Sequence, residues 1–281
     1  MAKAQGIIGN FKGKIGNTVG YQLTSSNNKQ TQGIRIYQPN VKNPKTSAQA
    51  EQRAMLAPIN ATYRALKMVI DRGNEGLPYG NKSRLAWLKQ AFKAQNMPWI
   101  GKGAVPYAPV ICQLTKGSLQ GLSYVVDDSA MVITVPGFDA STDISTIGKL
   151  TTALLAANLS LKEGDQLTFV AVQLHDEISG QPITANAKSI VLDSTSADAQ
   201  SDLKAGDEII TYDMPFTTIA GAIIVSREGA NGEHLRSNTS LVAFPDALET
   251  APYNAASKTA AIESYMASGA ANTDWAEESI Q

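Results

Sequence analysis

Val19, Tyr21 and Leu23 alternate with polar residues, and so do Ile34 and Ile36, with Thr31 in step, on the far side of Ser25-Ser26-Asn27-Asn28-Lys29. A period of two on both flanks of a polar run predicts a β-hairpin with a polar tip. Beyond Asn43-Pro44-Lys45-Thr46 the period changes. Met55, Ile59, Tyr63, Leu66 and Ile70 recur at helical spacing, and Thr46 with Gln49 fits a capping box, so a helix is expected from there to Gly73. Pro58 should kink or divide it, because its ring removes one intrahelical hydrogen bond. A second helix is expected over Lys82 to Gln95, with Leu85, Leu88 and Phe92 on its apolar side and Lys82, Lys89 and Lys93 on the other.

From about residue 104 short apolar runs bounded by Asp, Gly, Pro and Asn predict strands: Ser123–Val126, Met131–Val135, Gln166–Leu174, Ser189–Leu192, Glu208–Tyr212 and Ala220–Ser226. Ile144 to Leu159 reads as an inserted helix. Leu161-Lys-Glu-Gly-Asp-Gln-Leu167 recurs as Leu203-Lys-Ala-Gly-Asp-Glu-Ile209, either an internal duplication or a frequent strand-entry turn that arose twice, each copy feeding a strand. Ala255 to Ala267 predicts a helix with Ile262 and Met266 on its contact side, Lys258 to the rear and Gly269 as its stop. These elements give an α+β chain in four parts: a basic arm and hairpin (1–43), a basic helical pair (44–102), a β-sandwich-like domain with an inserted helix (103–245), and an Ala-rich helix with an acidic tail (246–281).

The first part needs its own reading. Gly6, Gly9, Gly13, Gly16 and Gly20 would form one stripe of a helix, but each glycine costs about 1 kcal/mol there relative to alanine. An extended arm, in which glycine permits tight bends and close backbone approach, fits better.

Charge sharpens the division. Residues 1–102 hold sixteen lysines and arginines against three acids, Glu51, Asp71 and Glu75, a net +13; the other 179 residues hold eight against twenty-two, a net −14. The net charge of −1 is therefore the sum of two opposed halves. Such polarity points to nucleic acid or to a second copy of the chain as partner. Lys12, Lys14, Lys29, Arg35, Lys42 and Lys45, interleaved with Phe11, Tyr21 and Tyr37, suit sequence-independent phosphate contact, and Lys82, Lys89 and Lys93 add a stripe. The same charges equally suit docking on the acidic body of a neighbour. In the acidic tail, Trp275 is either solvated or docked on a neighbouring subunit.

Catalytic patterns are sparse. His175, beside Asp176 and Glu177, and His234 have no second His or Cys at ligand spacing, and Cys112 lies in an apolar run as a small core residue. Gly9 to Ile15 misses the phosphate-loop pattern by one residue and by the hydroxyl that would reach magnesium. No metal, no cofactor and no enzymatic activity are expected. No stretch reaches the roughly 20 apolar residues of a membrane helix, and no signal-peptide pattern follows Met1, so synthesis in a cytoplasm without membrane insertion is expected.

Gly6-Ile7-Ile8-Gly9-Asn10-Phe11-Lys12-Gly13-Lys14-Ile15-Gly16-Asn17-Thr18-Val19-Gly20, followed by Ile34-Arg35, Asn43-Pro44-Lys45-Thr46, Gln49 and Gln52-Arg53, resembles the N-terminal signature of uncharacterised proteins from phages and prophages of gut bacteria, including small single-stranded-DNA phages. The resemblance covers the first quarter of the chain. It implies a phage setting, made in the bacterial host and carried in the virion, and a structural, capsid-associated part that assembles with itself or with other phage structural proteins. The alternative expectation is a nucleic-acid-binding protein acting outside the particle.

Overall fold

The computed structural model describes residues 13–24, 30–37, 46–127, 130–157, 159–175, 177–214, 218–230, 232–243, 248–249 and 252–267. The chain divides into two units, Met1–Lys45 and Thr46–Gln281.

In the first unit β1 (Gly13–Ile15), β2 (Thr18–Thr24) and β3 (Gln30–Ile36) form an antiparallel sheet in the order β1-β2-β3. A two-residue turn joins β1 to β2, and Gly16 takes the left-handed φ of 55° that such a tight connection needs. The hairpin expected between Val19 and Ile36 is present, with Thr24 paired to Gln30; its tip, 25–29, lies outside the described residues, as does the arm before Gly13. Register sorts the side chains. Ile15, Thr18 and Ile36 form one cross-strand row and Gly13, Gly20 and Ile34 the next on the same face; Lys14, Val19 and Arg35 form a row on the opposite face.

The second unit is built around β11 (Thr218–Glu228), which is buried from Thr218 to Ser226. It pairs with β7 (Gln166–Gln173), β7 with the edge strand β8 (Thr184–Val191), and the other side of β11 carries β12 (His234–Arg236) and β14 (Val242–Ala243). A four-stranded antiparallel sheet runs β5 (Tyr124–Asp127), β6 (Ala130–Thr134), β10 (Ile209–Asp213), β9 (Leu203–Gly206), and β4 (Gln113–Thr115) pairs with β13 (Thr239–Ser240). One face of the five-stranded sheet, through Leu167, Phe169, Ile223 and Val225, packs with Met131, Ile133 and Ile210 of the four-stranded sheet and with Leu150 and Leu154 of α4 (Ile147–Ala156). The other face, through Val170, Val172, Ala222 and Ile224, packs with Ile59, Leu66, Ile70 and Trp87 of the helical layer. The result is α+β in three layers: helices, central sheet, outer sheet. β11 reads as an unbroken apolar run because both of its faces are covered, the condition more often met in parallel sheets. At Gly221 the outer sheet comes so close that an added Cβ would stand 2.6 Å from the Met131 Sδ.

The helical layer departs from the sequence reading in detail. α1 (Ser47–Ala65) begins at Thr46, whose Oγ1 accepts a hydrogen bond from the Gln49 N–H. The helix is not divided at Pro58; the division comes instead at Leu66, with φ −103° and ψ 18°, before α2 (Lys67–Ile70). Pro58 lies on the buried stripe with Ala54, Ile59 and Thr62, where packing on the sheet outweighs one missing hydrogen bond. α3 (Asn81–Ala91) buries Ser83, Trp87 and Ala91, while Leu85, expected on the apolar side, is half exposed. The Ser83 Oγ donates to the Ile70 carbonyl at 2.7 Å, so the axis of burial turns toward the end of α2 and away from Leu85. α5 (Ala255–Ala267) has the expected bounds but an unexpected contact face. Ala261 is buried and Met266 exposed, and Lys258 faces α1, where it pairs with Glu51 at 2.6 Å and lies over the Trp99 ring. Small alanines let α5 approach closely, so the larger side chains are not its anchors.

The two Leu-Lys-x-Gly-Asp segments are not equivalent. The first is a turn, with Gly164 at φ 85°, leading into β7. The second is strand β9 itself, Gly206 is within it, and the left-handed residue of the following turn is Glu208 at φ 57°. The internal-duplication reading is dropped. Among the described residues no helix is long and apolar enough to cross a membrane.

Candidate functional site

The basic residues of the N-terminal part separate into those the structure places and those it does not. Lys14 stacks over the Tyr37 ring, 3.7 Å from its centroid, and Arg35 is exposed in the same cross-strand row. Lys12, Lys29, Lys42, Lys45 and Trp275 lie outside the described residues. On the opposite face of the same sheet Ile36 is 78% exposed, Ile15 60% and Ile34 40%. This three-stranded sheet is thus amphipathic, with a basic face and an isoleucine face, and the isoleucine face meets solvent. The sequence showed the alternation but not which residues shared a side, since that depends on the β1–β2 register.

Lys82 and Lys89 are exposed on α3, and Lys93 is exposed just beyond its end. The half-exposed Leu85 belongs to this stripe by spacing. Lys89 also borders a shallow depression with Lys116, beside Glu75. Burial works to raise the Glu75 pKa, but hydrogen bonds from the Ser118 N–H and Oγ, both at 2.8 Å, and from the Arg236 N–H outweigh it and hold the carboxyl below the usual glutamate range. Glu75 therefore ties the loop after α2 to β12.

The residues weighed for catalysis are scattered. His175 Nε2 lies 3.0 Å from Thr184 Oγ1, which in turn donates to the Gln173 amide oxygen; Asp176 lies outside the described residues. His234 packs its ring 5.7 Å from that of Tyr79. Cys112 is buried, and burial pushes its thiol up to about 12. Among the described residues no group of three or more His, Cys, Asp or Glu side chains could hold a metal ion. One ion pair is bidentate and structural: the fully buried Asp165 receives Arg227 at 2.6 and 2.7 Å and the Lys162 N–H at 2.8 Å.

A cleft absent from the sequence reading lies between α1–α2 and the helix-facing side of the five-stranded sheet. Its volume is 310 Å³. Leu66, Val69 and Ile224 give it apolar walls, and Ala185 and Ala187 of β8 give it a small-residue floor. Thr168 and Ser189, hydrogen-bonded to each other at 2.9 Å, add hydroxyls. Arg72 and Arg236 supply two guanidinium groups, and none of the lining residues is acidic. Arg72 is exposed and lies over the Tyr79 ring, whereas Arg236 is half-buried and its Nε is buried with no acceptor. Burial pushes the Arg236 guanidinium below the usual arginine range; the Tyr79 hydroxyl opposes this, and the charge of Arg72 reinforces it. These arginines stand 164 positions apart in the sequence, one from each charge half, so only the fold brings them together.

No protein-family model, no curated protein and no solved structure matches this chain.

Proposed function

We propose that the protein is a structural component of a phage particle, which self-assembles through its basic N-terminal arm and its acidic β-rich body. The observation that carries this reading is the N-terminal sheet. A sheet of three short strands draws what stability it has from its hydrophobic face, and here Ile15, Ile34 and Ile36 of that face are exposed together. A contiguous exposed apolar face, here backed by a basic one, marks an interaction surface. Residues 1–45 carry seven lysines and arginines and no acid, while the rest of the chain is net acidic, so a neighbouring copy offers both an opposite charge and a large β-rich surface. The N-terminal resemblance to phage proteins supports the setting. The role is assembly, with no enzymatic step.

The test is the state of the purified chain. Sedimentation or size exclusion with light scattering should show concentration-dependent assembly into a large symmetric species, and mass spectrometry should find the chain in purified particles. A protein that stays monomeric at high concentration and is missing from particles overturns the proposal.

The opposite face of the same sheet favours a second reading. Lys14 and Arg35 sit in one row, with Lys14 stacked on Tyr37, the pairing of cation and aromatic that single-stranded nucleic acid uses. A nucleic-acid-binding protein outside the particle predicts affinity that falls steeply between 50 and 200 mM salt, as counterion release requires. An absorbance ratio near that of protein alone, with no binding to a single-stranded oligonucleotide at low salt, removes it.

A further inference from the structure

We propose that the cleft between α1–α2 and the central sheet is a binding site for a small organic anion, a carboxylate or phosphate head on an apolar body. The inference does not depend on the assembly reading, because it concerns the second unit alone.

Two arginines line one cleft that has no carboxylate among its lining residues. Glu75, which touches the Arg236 backbone, is occupied: its oxygens accept from Ser118 and from the backbone N–H of Arg236. Among the described residues no ion pair involves Arg72 or Arg236. Half-buried cations in folded proteins are ordinarily paired or hydrogen-bonded, because water no longer solvates them fully. Arg236 has the Tyr79 hydroxyl as a side-chain partner, but its buried Nε–H has no acceptor and is an unmet donor beside the cleft. Arg–oxyanion contacts are charge-assisted and can be bidentate, which favours carboxylate and phosphate over halide or neutral ligands.

The remainder of the cleft determines what the head is attached to. Leu66, Val69 and Ile224 present hydrocarbon to the interior. At 310 Å³ the space is at the small end of ligand sites, which run from about 300 to 1,000 Å³. A nucleic-acid strand needs a path of successive cations with aromatic faces; a small cleft lined by two arginines fits a single anionic group.

The experiment is calorimetric titration of the full chain with phenyl phosphate, hexanoate, inorganic phosphate and the neutral benzyl alcohol. One site per chain is expected for phenyl phosphate or hexanoate, and whichever head binds more tightly identifies the oxyanion. Arg236→Gln and Arg72→Gln should each weaken that binding at least tenfold. Lys162→Gln, an exposed lysine that does not line the cleft, should leave it unchanged. Should Arg236→Gln fail to fold by circular dichroism, the exposed Arg72→Gln still carries the test. Binding of benzyl alcohol as tight as phenyl phosphate overturns the anion seat, and inorganic phosphate as tight as phenyl phosphate overturns the apolar body. Equal weakening by Lys162→Gln shows only diffuse attraction and overturns the site, as does no heat from any probe at 10 mM.

Discussion

Replacing Ile36 by threonine separates assembly from folding. Ile36 is 78% exposed on the isoleucine face, so the folded monomer has little to lose, and surface substitutions of this kind usually change stability by less than about 0.5 kcal/mol. Threonine keeps the β-branched side chain that suits a strand. A neighbour that covers the face would bury most of that side chain. Full burial of an isoleucine contributes about 1.5–3 kcal/mol, and the exposed fraction scales this to about 1–2 kcal/mol per interface, which corresponds to roughly 5- to 30-fold in association constant. Changing Ile15 and Ile34 as well should cost about 3–5 kcal/mol on the same scale. Sedimentation velocity over a hundredfold concentration range, with a thermal melt on each variant, reads both quantities. If Ile36→Thr melts like wild type and assembles at the same concentration, the isoleucine face is not a subunit contact.

Asp165→Asn should be strongly destabilising, because it leaves Arg227 partly buried without its carboxylate; a loss of about 3 kcal/mol would lower the melting temperature by roughly 6–12 °C for a unit of this size. The Glu75 carboxyl is held below its ordinary 4.5, so its contribution to stability is fully present above that pH and is lost as pH falls through the folded value. Urea midpoints should therefore separate wild type from Glu75→Gln at pH 7 and draw the two together as pH falls below 4.5; a constant difference contradicts the linkage. Gly221→Ala presses a methyl group against Met131 in the closest approach of the two sheets; a loss of about 1–2 kcal/mol is expected in guanidinium unfolding, with an unchanged m-value, and no shift in midpoint would mean that the thioether simply moves aside.

Legibility in the sequence followed local strength of pattern. The hairpin around Val19, Tyr21 and Ile34, the Thr46 cap and both ends of α5 are set by neighbours in sequence and could be read there. β8 was read only from Ser189, because its first half, Thr184 to Lys188, lies on a sheet edge and carries polar or small residues. β4, β12, β13 and β14 are two or three residues long; β12 and β14 are held by the long strand β11, and β4 and β13 only by each other. Pro58 does not divide α1, since a local rule about one hydrogen bond cannot anticipate a whole layer packed on that helix. Of the candidate residues, Lys14, Arg35 and the α3 lysines are on exposed faces as their spacing implied, whereas the Arg72–Arg236 cleft gave no local signal: each arginine alone looks like an ordinary surface charge.

The coverage of β11 on both faces has a consequence for synthesis. The helical layer is finished on the ribosome at Ala91, yet the strand it must cover begins at Thr218. At about 5–20 residues per second, the delay is on the order of 6–25 seconds. For the first part of that interval, until β7 is made, Ile59, Leu66, Ile70 and Trp87 have no strand of the central sheet to pack on, and until Thr218 they lack its central strand. The nascent chain therefore passes through a stage in which its helices, with their apolar side bare, and the basic arm are the only parts made, and contacts with chaperones or with other nascent copies are open before the acidic body exists.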